Sequence, residues 1–392
     1  MRRPGGSHLE YHLLVLVTLG LVAFGLVMVY SASSARALLS ADAPSYYLKR
    51  QAIYAVMGLV ALVILSRFDF HRLRRATQPL LAVTFVLLVA VLVVGTAVNG
   101  ARRWIPIGFM NFQPSELAKL VLALWTAAFL ARKPAPRTLG ELAKPIGVVV
   151  GLACALILIE PDLGTAIAIA IMVSAILVVS GTRLRLLASA TGIATGIVLL
   201  AIWFEPYRRE RIFSFLDPWH DPQGAGFQAV QSMIALGSGG FFGVGLGESV
   251  QKIYYLPEAS TDMIFAIVGE ELGLIGAMAV IAAFAVFAYA GFNIALHCRD
   301  PFGKRLAAGI TALICGQAAV NVSAVMGIAP LTGIPLPFVS YGGSSLVVGL
   351  AAVGILLNIA SNDAVVRETE VPDRGRRNRR TRASGTRRRR VA

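Results

Sequence analysis

Apolar runs of about 20 residues recur along this chain, and that is the length a helix needs to cross the hydrocarbon core of a bilayer. Nothing else in the 392 residues constrains the fold as strongly. Inside lipid every backbone N–H and C=O must find its partner within the protein, so each run has to be helical. Ten spans can be drawn, at 12–31, 51–66, 78–98, 115–132, 146–160, 163–181, 186–204, 262–293, 306–328 and 342–360. Only 15% of the residues are charged, against about a quarter in a soluble domain. The expected fold class is an all-α polytopic membrane protein of about ten transmembrane helices, with a large outer-face loop between the seventh and eighth. No short hydrophobic region with a small-residue cleavage site stands apart, so the first span is expected to be retained. Cys154, Cys298 and Cys315 lie in or beside apolar runs without CxxC spacing and read as packing residues. The histidines are scattered, with no pairing that would make a protein-only metal site.

Orientation follows from Lys and Arg in the loops. With the N-terminus inside, the inner segments carry 26 of the 36 basic residues, and inside still leads 15 to 9 when the tail is left out. Both termini are then cytoplasmic, and the loop 205–261 lies outside. Residues 1–361 read as one transmembrane domain. Residues 362–392 carry the run RGRRNRRTRASGTRRRR and few apolar side chains, so a disordered basic cytoplasmic tail held near anionic lipid is expected. No aromatic or fold signal accompanies that charge, and no nucleic-acid partner is expected. Within the outer loop, Gln228–Leu236 has the apolar spacing of an interfacial helix. Gly243, Gly245 and Gly247 mimic a phosphate loop, but no strand precedes them, so a mobile turn is the better reading. With no Walker motif either, no nucleotide cofactor is expected.

Ionisable groups in or near spans cost roughly 2.5–3.5 kcal/mol on insertion scales, so each is a functional candidate. Asp262 sits where the chain passes from polar to apolar, half solvated against a low-dielectric wall that sharpens its chemistry; the bland alternative is a helix N-cap. Glu258 precedes it on the same polar stretch. Glu116 and Lys119, three apart at the start of the fourth span, share a helix face, either as an internal ion pair or with the Lys reaching to an anionic ligand. Glu160 and Asp162 cap the hairpin between the fifth and sixth spans, where Asp162 suits a capping role. Glu270 and Glu271 would lie about 12–13 Å deeper than Asp262 on a regular helix and read as internal hydrogen-bonding groups. Three prolines in 330–337 forbid a regular helix there. Ser340, Tyr341, Gly342 and Gly343 then lead into the last span, whose helix start offers backbone N–H groups to a phosphate or carboxylate. Together these groups suit an amphiphilic anionic ligand lodged between helices at the outer face.

Four stretches, in order, resemble the SEDS family of bacterial polytopic membrane proteins (shape, elongation, division and sporulation). They are VNGARRWIPIGFMNFQPSELAKL, EPDLGT, YLPEASTDMIFAIVGEELG and NVSAVMGIAPLTGIPLPFVSYGGSS. The resemblance runs from about Leu14 to Asn358. VMVYSAS, DPWHDPQGAGFQAVQS and SVQKIYYLPEA look most like the septal-division branch, with an elongation or sporulation member of the same family as the alternative. Ser260 and Met263 differ from the family's commoner His and Phe, which bears on local substrate contacts more than on the chemistry.

The resemblance implies a peptidoglycan glycosyltransferase of the bacterial cytoplasmic membrane that polymerises lipid II at the outer face of the division septum. It implies partnership with a class B penicillin-binding transpeptidase and other divisome membrane proteins, and a divalent cation, Mg²⁺ or Mn²⁺, with ligands unknown. By match, Asp262 is the essential acid, and Glu116, Lys119, Asp162 and Ser340–Gly343 line or support its cavity. Arg102 and Arg103, basic against the inside-positive trend, are candidates to meet the leaving diphosphate, or plain interfacial anchors. In this mechanism Asp262 is the general base on the acceptor's 4-hydroxyl. The rival class is a lipid II transporter using the same outward cavity; the gathering of charge at one face and the lack of an evident inverted repeat speak against it.

Overall fold

The computed structural model describes residues 6–39, 44–98, 101–108, 110–203, 214–253 and 255–369. The basic residues Arg208, Arg209 and Arg211 and the segment from Glu370 onward lie outside the described residues, so the expected tail is not described beyond Thr369. Each of the ten expected spans overlaps a described helix: α1 (Gly6–Leu39), α2 (Tyr46–Arg67), α3 (Phe70–Val94), α4 (Pro114–Leu130), α5 (Leu139–Leu142) followed by a π-helical turn and α6 (Val148–Ile159), α7 (Leu163–Val179), α8 (Leu184–Trp203), α10 (Ile264–His297), α11 (Pro301–Val325) and α12 (Gly343–Thr369). Between α8 and α10 lies α9 (Phe227–Ser238), close to the helix expected at Gln228–Leu236. By length and composition, seven described helical segments can cross a membrane, and Leu163–Val179 is a shorter apolar helix. The fold is that of a polytopic membrane protein.

Helix starts depart from the hydropathy windows where a cap outranks apolarity. Helix α3 begins at Phe70 rather than 78 because the Asp69 carboxylate accepts from His71 N. Helix α11 begins at Pro301 rather than 306 because Asp300 accepts from Gly303 N. A capping carboxylate satisfies N–H groups that have no partner within the helix. Arg72, Arg74, Arg75, Lys304 and Arg305 therefore belong to helices, not loops.

The second departure is a small sheet. Helix α3 ends at Val94, and β1 (Thr96–Val98), β2 (Ala101–Ile107) and β3 (Met110–Phe112) form an antiparallel meander in the order β1-β2-β3. The register pairs Ala97 with Arg102 and Ile105 with Phe112. The stretch RRWIPI carries aromatic and β-branched residues that fit a pleated, half-buried surface, a signal that a search for helical runs passes over.

Two sets of loops gather at two ends of the bundle, as the alternation of spans requires. At one end Phe70 N donates to Asn358 Oδ1 (3.3 Å), Asn358 Nδ2 donates to Ser66 O (2.7 Å), and Arg305 Nε donates to Ser180 Oγ (2.8 Å). Phe70 also stacks on Phe302 there. At the other end Gln113, Asp162, Ser260, Tyr341 and Ser344 meet.

The eighth span is not a straight rod. Gly273 in α10 is non-helical (φ 67°, ψ −162°). Residues 240–245 fill the break: Val244 N and Gly245 N donate to Glu270 O and Glu271 O, while Leu274 N and Ile275 N donate to Gly240 O and Phe241 O. Gly243 and Gly245, expected in a free turn, are thus docked into the helix break. The break also redirects the chain. From His297 to Leu274 the helix rises about 35 Å, and continuing straight would carry Asp262 roughly 18 Å further. Yet Asn321 Nδ2 donates to Asp262 O (2.7 Å), and Asn321 stands only about 30 Å above Pro301 along α11. Ile264–Leu272 therefore runs across the bundle, and Glu270 and Glu271 are displaced sideways from Asp262 rather than beneath it.

A Cβ on Gly243 would sit 2.1 Å from Glu271 O, at a positive φ of 82°. Gly151, within α6, has nothing within 4 Å of such an atom. In thermal unfolding in detergent, Gly243→Ala is expected to cost about 1–3 kcal/mol of stability, and Gly151→Ala to add about 0.5–1 kcal/mol. Equal shifts would contradict the docking of the glycine segment into the helix break.

Candidate active site

Segment 332–341 is the centre around which the candidate residues assemble. It has no regular helix, as its prolines require. On one side, a Cβ at Gly333 (φ +70°) would lie 3.8 Å from Asp262 Oδ2. On another, a Cβ at Gly164 would lie 2.9 Å from Thr332 O, which puts the segment against the start of α7 beside Asp162. From the side of α1, Gly25 lets the chain approach Phe338 O, where a Cβ would come to 2.4 Å. Asp262 and Asp162, a hundred residues apart, thus flank one segment.

The backbone around Asp262 is held from two directions. Buried Asn321 on α11 donates through one amide nitrogen to Asp262 O and to Ile334 O, each at 2.7 Å. Tyr341 N donates to Ser260 O (2.8 Å). Asp262 itself is half-buried, just before Met263, the N-cap position of α10. Thr261 Oγ1 donates to Glu258 Oε2 (2.8 Å) and lies 3.4 Å from Asp262 Oδ1, so it bridges two carboxylates.

Glu116 and Lys119 form an ion pair (2.8 Å) with both side chains buried. They line an interior pocket with Gln317 of α11, Pro337 and Phe338 of the central segment, and Ser345 of α12. Asp162 caps α7, its Oδ1 accepting from Thr165 N (3.0 Å) and its Oδ2 from Thr165 Oγ1 (2.8 Å). It is also tied to Gln113 Nε2 (3.3 Å), whose backbone N donates to Ser344 Oγ (3.0 Å).

The start of α12 is less open to an anion than its sequence suggests. Tyr341 N is spent on Ser260, and Gly342 N donates to Gln51 Oε1 (3.4 Å). Buried Gln51 of α2 also donates to Ser340 O (3.1 Å), and Ser340 Oγ accepts from Leu336 N (2.8 Å). A Cβ on Gly343 would meet the Tyr54 ring at 2.7 Å. The turn is therefore a tightly bonded support.

Arg102 and Arg103 are neighbours on β2 with different surroundings. Arg102 is exposed. Arg103 Nε donates to Glu160 O (2.8 Å), and its terminal nitrogen donates to Pro161 O, so it clamps the hairpin that carries Asp162. Both Glu160 carboxylate oxygens are buried without a hydrogen-bond partner in the described structure. Burial pushes the Glu160 carboxyl up to about 8, neighbouring Asp162 adds to the shift, and Arg103 opposes it. Glu270 and Glu271 accept hydrogen bonds inside the protein, as expected: Glu270 from Ser249 Oγ and Val250 N, Glu271 from Ser31 Oγ and Lys252 Nζ.

Gln51, Gln113 and Asn321 were not singled out from the sequence. All are uncharged amides in or beside apolar runs. An amide in such a place is the available signal, since each must find internal partners.

A bundle of long apolar helices, seven described segments of which can cross a membrane, with a carboxylate and a buried ion pair at one end, defines a polytopic membrane protein with an embedded polar site. Residues 11–364 match the family model of cell cycle proteins that comprises FtsW, RodA and SpoVE, and the chain belongs to that family. It is 43% identical over 356 residues to the probable peptidoglycan glycosyltransferase FtsW of Trichlorobacter lovleyi, covering 90% of this chain and 93% of that protein. It is 42% identical to stage V sporulation protein E of Bacillus subtilis, covering 89% and 96%. A solved chain from a peptidoglycan synthase complex that coordinates polymerization and crosslinking superposes with a TM-score of 0.74 at 32% identity, covering 89% of this chain and 97% of that one.

Two expectations follow from these contacts. Breaking a buried ion pair from one side costs about 3–5 kcal/mol, so Lys119→Met should lower stability by that order and adding Glu116→Gln should restore most of it. Additive losses in a double-mutant cycle would contradict the pairing. For Glu160, the folded state keeps a proton that the unfolded chain releases above its ordinary value of 4.5. Stability should therefore fall as pH rises from about 4.5 to about 8 and level off above that. Glu160→Gln keeps a neutral side chain of the same shape and should flatten that slope in a melting-temperature series; parallel slopes for the two proteins would refute it.

Proposed function

We propose that this chain is a peptidoglycan glycosyltransferase that polymerises lipid II on the outer face of the bacterial cytoplasmic membrane, in septal synthesis during cell division. The relative from Trichlorobacter lovleyi carries the glycosyltransferase name. The observation that carries the residue-level reading is the seating of Asp262 against Gly333, with its backbone fixed by Asn321, at the end of the bundle where the expected outer segments meet.

Asp262 acts as general base on the 4-hydroxyl of the acceptor's GlcNAc. The hydroxyl oxygen attacks C1 of the donor's MurNAc, the bond from C1 to the diphosphate breaks, and lipid diphosphate leaves with inversion. A positioned base contributes about 10²–10⁴-fold to such a step. Clamping the backbone on both sides of Asp262 suits that role, because a base must already be in place when the transition state forms. Exposed Arg102 supplies positive charge toward the departing diphosphate, while buried Lys119, paired with Glu116, shapes the pocket wall. Glu258, Asp162 and Ser340–Gly343 shape and support the binding cavity, and Arg103 acts by holding the Asp162 hairpin.

Among the described residues, no group of three or more His, Cys, Asp or Glu side chains is placed to hold a metal. Mg²⁺ often needs only one or two carboxylates besides substrate phosphates, and Glu258 and Asp262, bridged by Thr261, are such a pair. A divalent cation, Mg²⁺ or Mn²⁺, bound there would add positive charge beside the leaving group. The proposed partner is a class B penicillin-binding transpeptidase of the septum, with both termini of this chain on the cytoplasmic side.

The test is polymerisation of labelled lipid II by the purified protein with its cognate transpeptidase. Wild type should make glycan chains, Asp262→Asn none, and chelation should slow wild type. Glycan from Asp262→Asn at the wild-type rate would move the base elsewhere. No glycan from wild type, together with lipid II translocation in liposomes, would favour the transporter.

A further inference from the structure

The segment Gly240–Ile253 is inside out by the standards of a water-exposed loop. Two of its polar side chains, Ser249 and Lys252, turn inward, while Glu248 beyond the 241–246 turn stays exposed. Lys252 is buried, with Nζ 2.8 Å from Glu271 Oε1 and 2.6 Å from Gly247 O. Buried Ser249 donates to Glu270. Its apolar side chains turn outward: Phe241 is 71% exposed and Phe242 83%, with Val244, Leu246, Val250 and Ile253 exposed as well. A soluble loop does the reverse, and a run of exposed large apolar side chains marks an interaction surface.

The segment is also rigidly mounted. Four backbone hydrogen bonds splice it into the Gly273 break of α10, and the Lys252–Glu271 pair pins its far end. Flexing cannot bring the two phenylalanines under cover without undoing those bonds.

Its height is set by the splice. The unbroken helix from His297 rises about 35 Å to Leu274, slightly more than the roughly 30 Å hydrocarbon core. Leu274 and Ile275 are 50% and 57% exposed, and they open a stripe that continues through Met278, Val286, Tyr289, Phe292 and Leu296. That stripe is the lipid-facing side of a membrane-crossing helix, and Gly240 and Phe241 bond directly to its first two residues.

We propose that the Phe241–Leu246 turn is a wedge embedded among the acyl chains of the outer leaflet, continuous with the lipid-facing stripe of α10. Because the wedge is fused to the point where α10 turns across the bundle, it fixes the height of Ile264–Leu272, and so of Asp262, relative to the lipid surface. The lipid contact stands whether or not Asp262 is the catalytic base.

The experiment uses the full chain in phospholipid nanodiscs. The native cysteines Cys154, Cys298 and Cys315 are replaced by alanine, a single nitroxide is placed by Phe242→Cys, and collision with oxygen is compared with collision with an aqueous nickel chelate. Met278→Cys serves as the lipid reference and Gln223→Cys as the water reference. The wedge requires Phe242→Cys to match Met278→Cys, with oxygen collisions several-fold above chelate collisions. A label that matches Gln223→Cys, or one shielded from both probes as under a second protein surface, overturns the proposal. Where the cysteine variants do not fold, the unaltered protein is photolabelled in bilayers carrying an acyl-chain diazirine lipid. Adducts on 241–246 as well as on the α10 stripe support the wedge, and adducts on the stripe alone overturn it.

Discussion

The interruption of α10 at Gly273 is the constraint on which the site end of the bundle depends. A helix that breaks near the edge of the hydrocarbon core leaves carbonyls and amides without partners where water is scarce, and each costs several kcal/mol unless satisfied. Here the loop before the helix supplies the missing partners: the carbonyls of Glu270 and Glu271 accept from Val244 and Gly245, and the amides of Leu274 and Ile275 donate back to Gly240 and Phe241. The break costs few hydrogen bonds and turns Ile264–Leu272 across the bundle. That turn is what brings Asp262 to Asn321 and to the 332–341 segment, so the site exists because the helix fails at that point.

Buried charge reinforces the same arrangement. Lys252 with Glu271 and Lys119 with Glu116 are both desolvated pairs at 2.8 Å. Desolvation offsets much of the Coulomb gain of such pairs, so they add little net stability, but either partner alone is very costly. They act as alignment devices: one fixes the loop at the helix break, the other fixes the wall of the pocket below Ser345. Asn321 does with uncharged hydrogen bonds what the pairs do with charge, bonding two backbone carbonyls from distant parts of the chain through one amide group.

The spans were legible in the sequence because hydrophobic length in a membrane is a near-sufficient signal. The co-location of Asp162, Asp262 and Ser340–Gly343 was legible through motif order. Hydropathy does not register a local rule that overrides it. Asp69 and Asp300 start helices inside charged stretches by capping. The strand pairs of 96–112 rely on alternation too short to stand out. The function of Gly243 could not be read from its neighbours, since it is defined by Glu271 O. Gln51 and Asn321 escaped for a related reason: an amide in a span carries no charge penalty large enough to draw notice, yet each joins two segments here.

The pattern of fastening bears on what kind of machine this is. The 332–341 segment is bonded to α2 through Gln51, to α11 through Asn321 and to the Asp262 loop through Tyr341 N, and α1 packs on its backbone at Gly25. Alternating access requires one group of helices to rock against another around a fixed site. Here the elements that would have to part are joined through the site itself, and rocking would strip buried amides of their partners. A polymerase asks the opposite of its scaffold. Its base and charged groups must already be in place when charge develops on the leaving diphosphate, so that no reorganisation is needed at the moment of reaction. A polar cluster pinned at one end of the bundle, with a lipid-facing stripe leading up to it, fits chemistry on a substrate that arrives from the membrane plane better than passage of that substrate through the bundle.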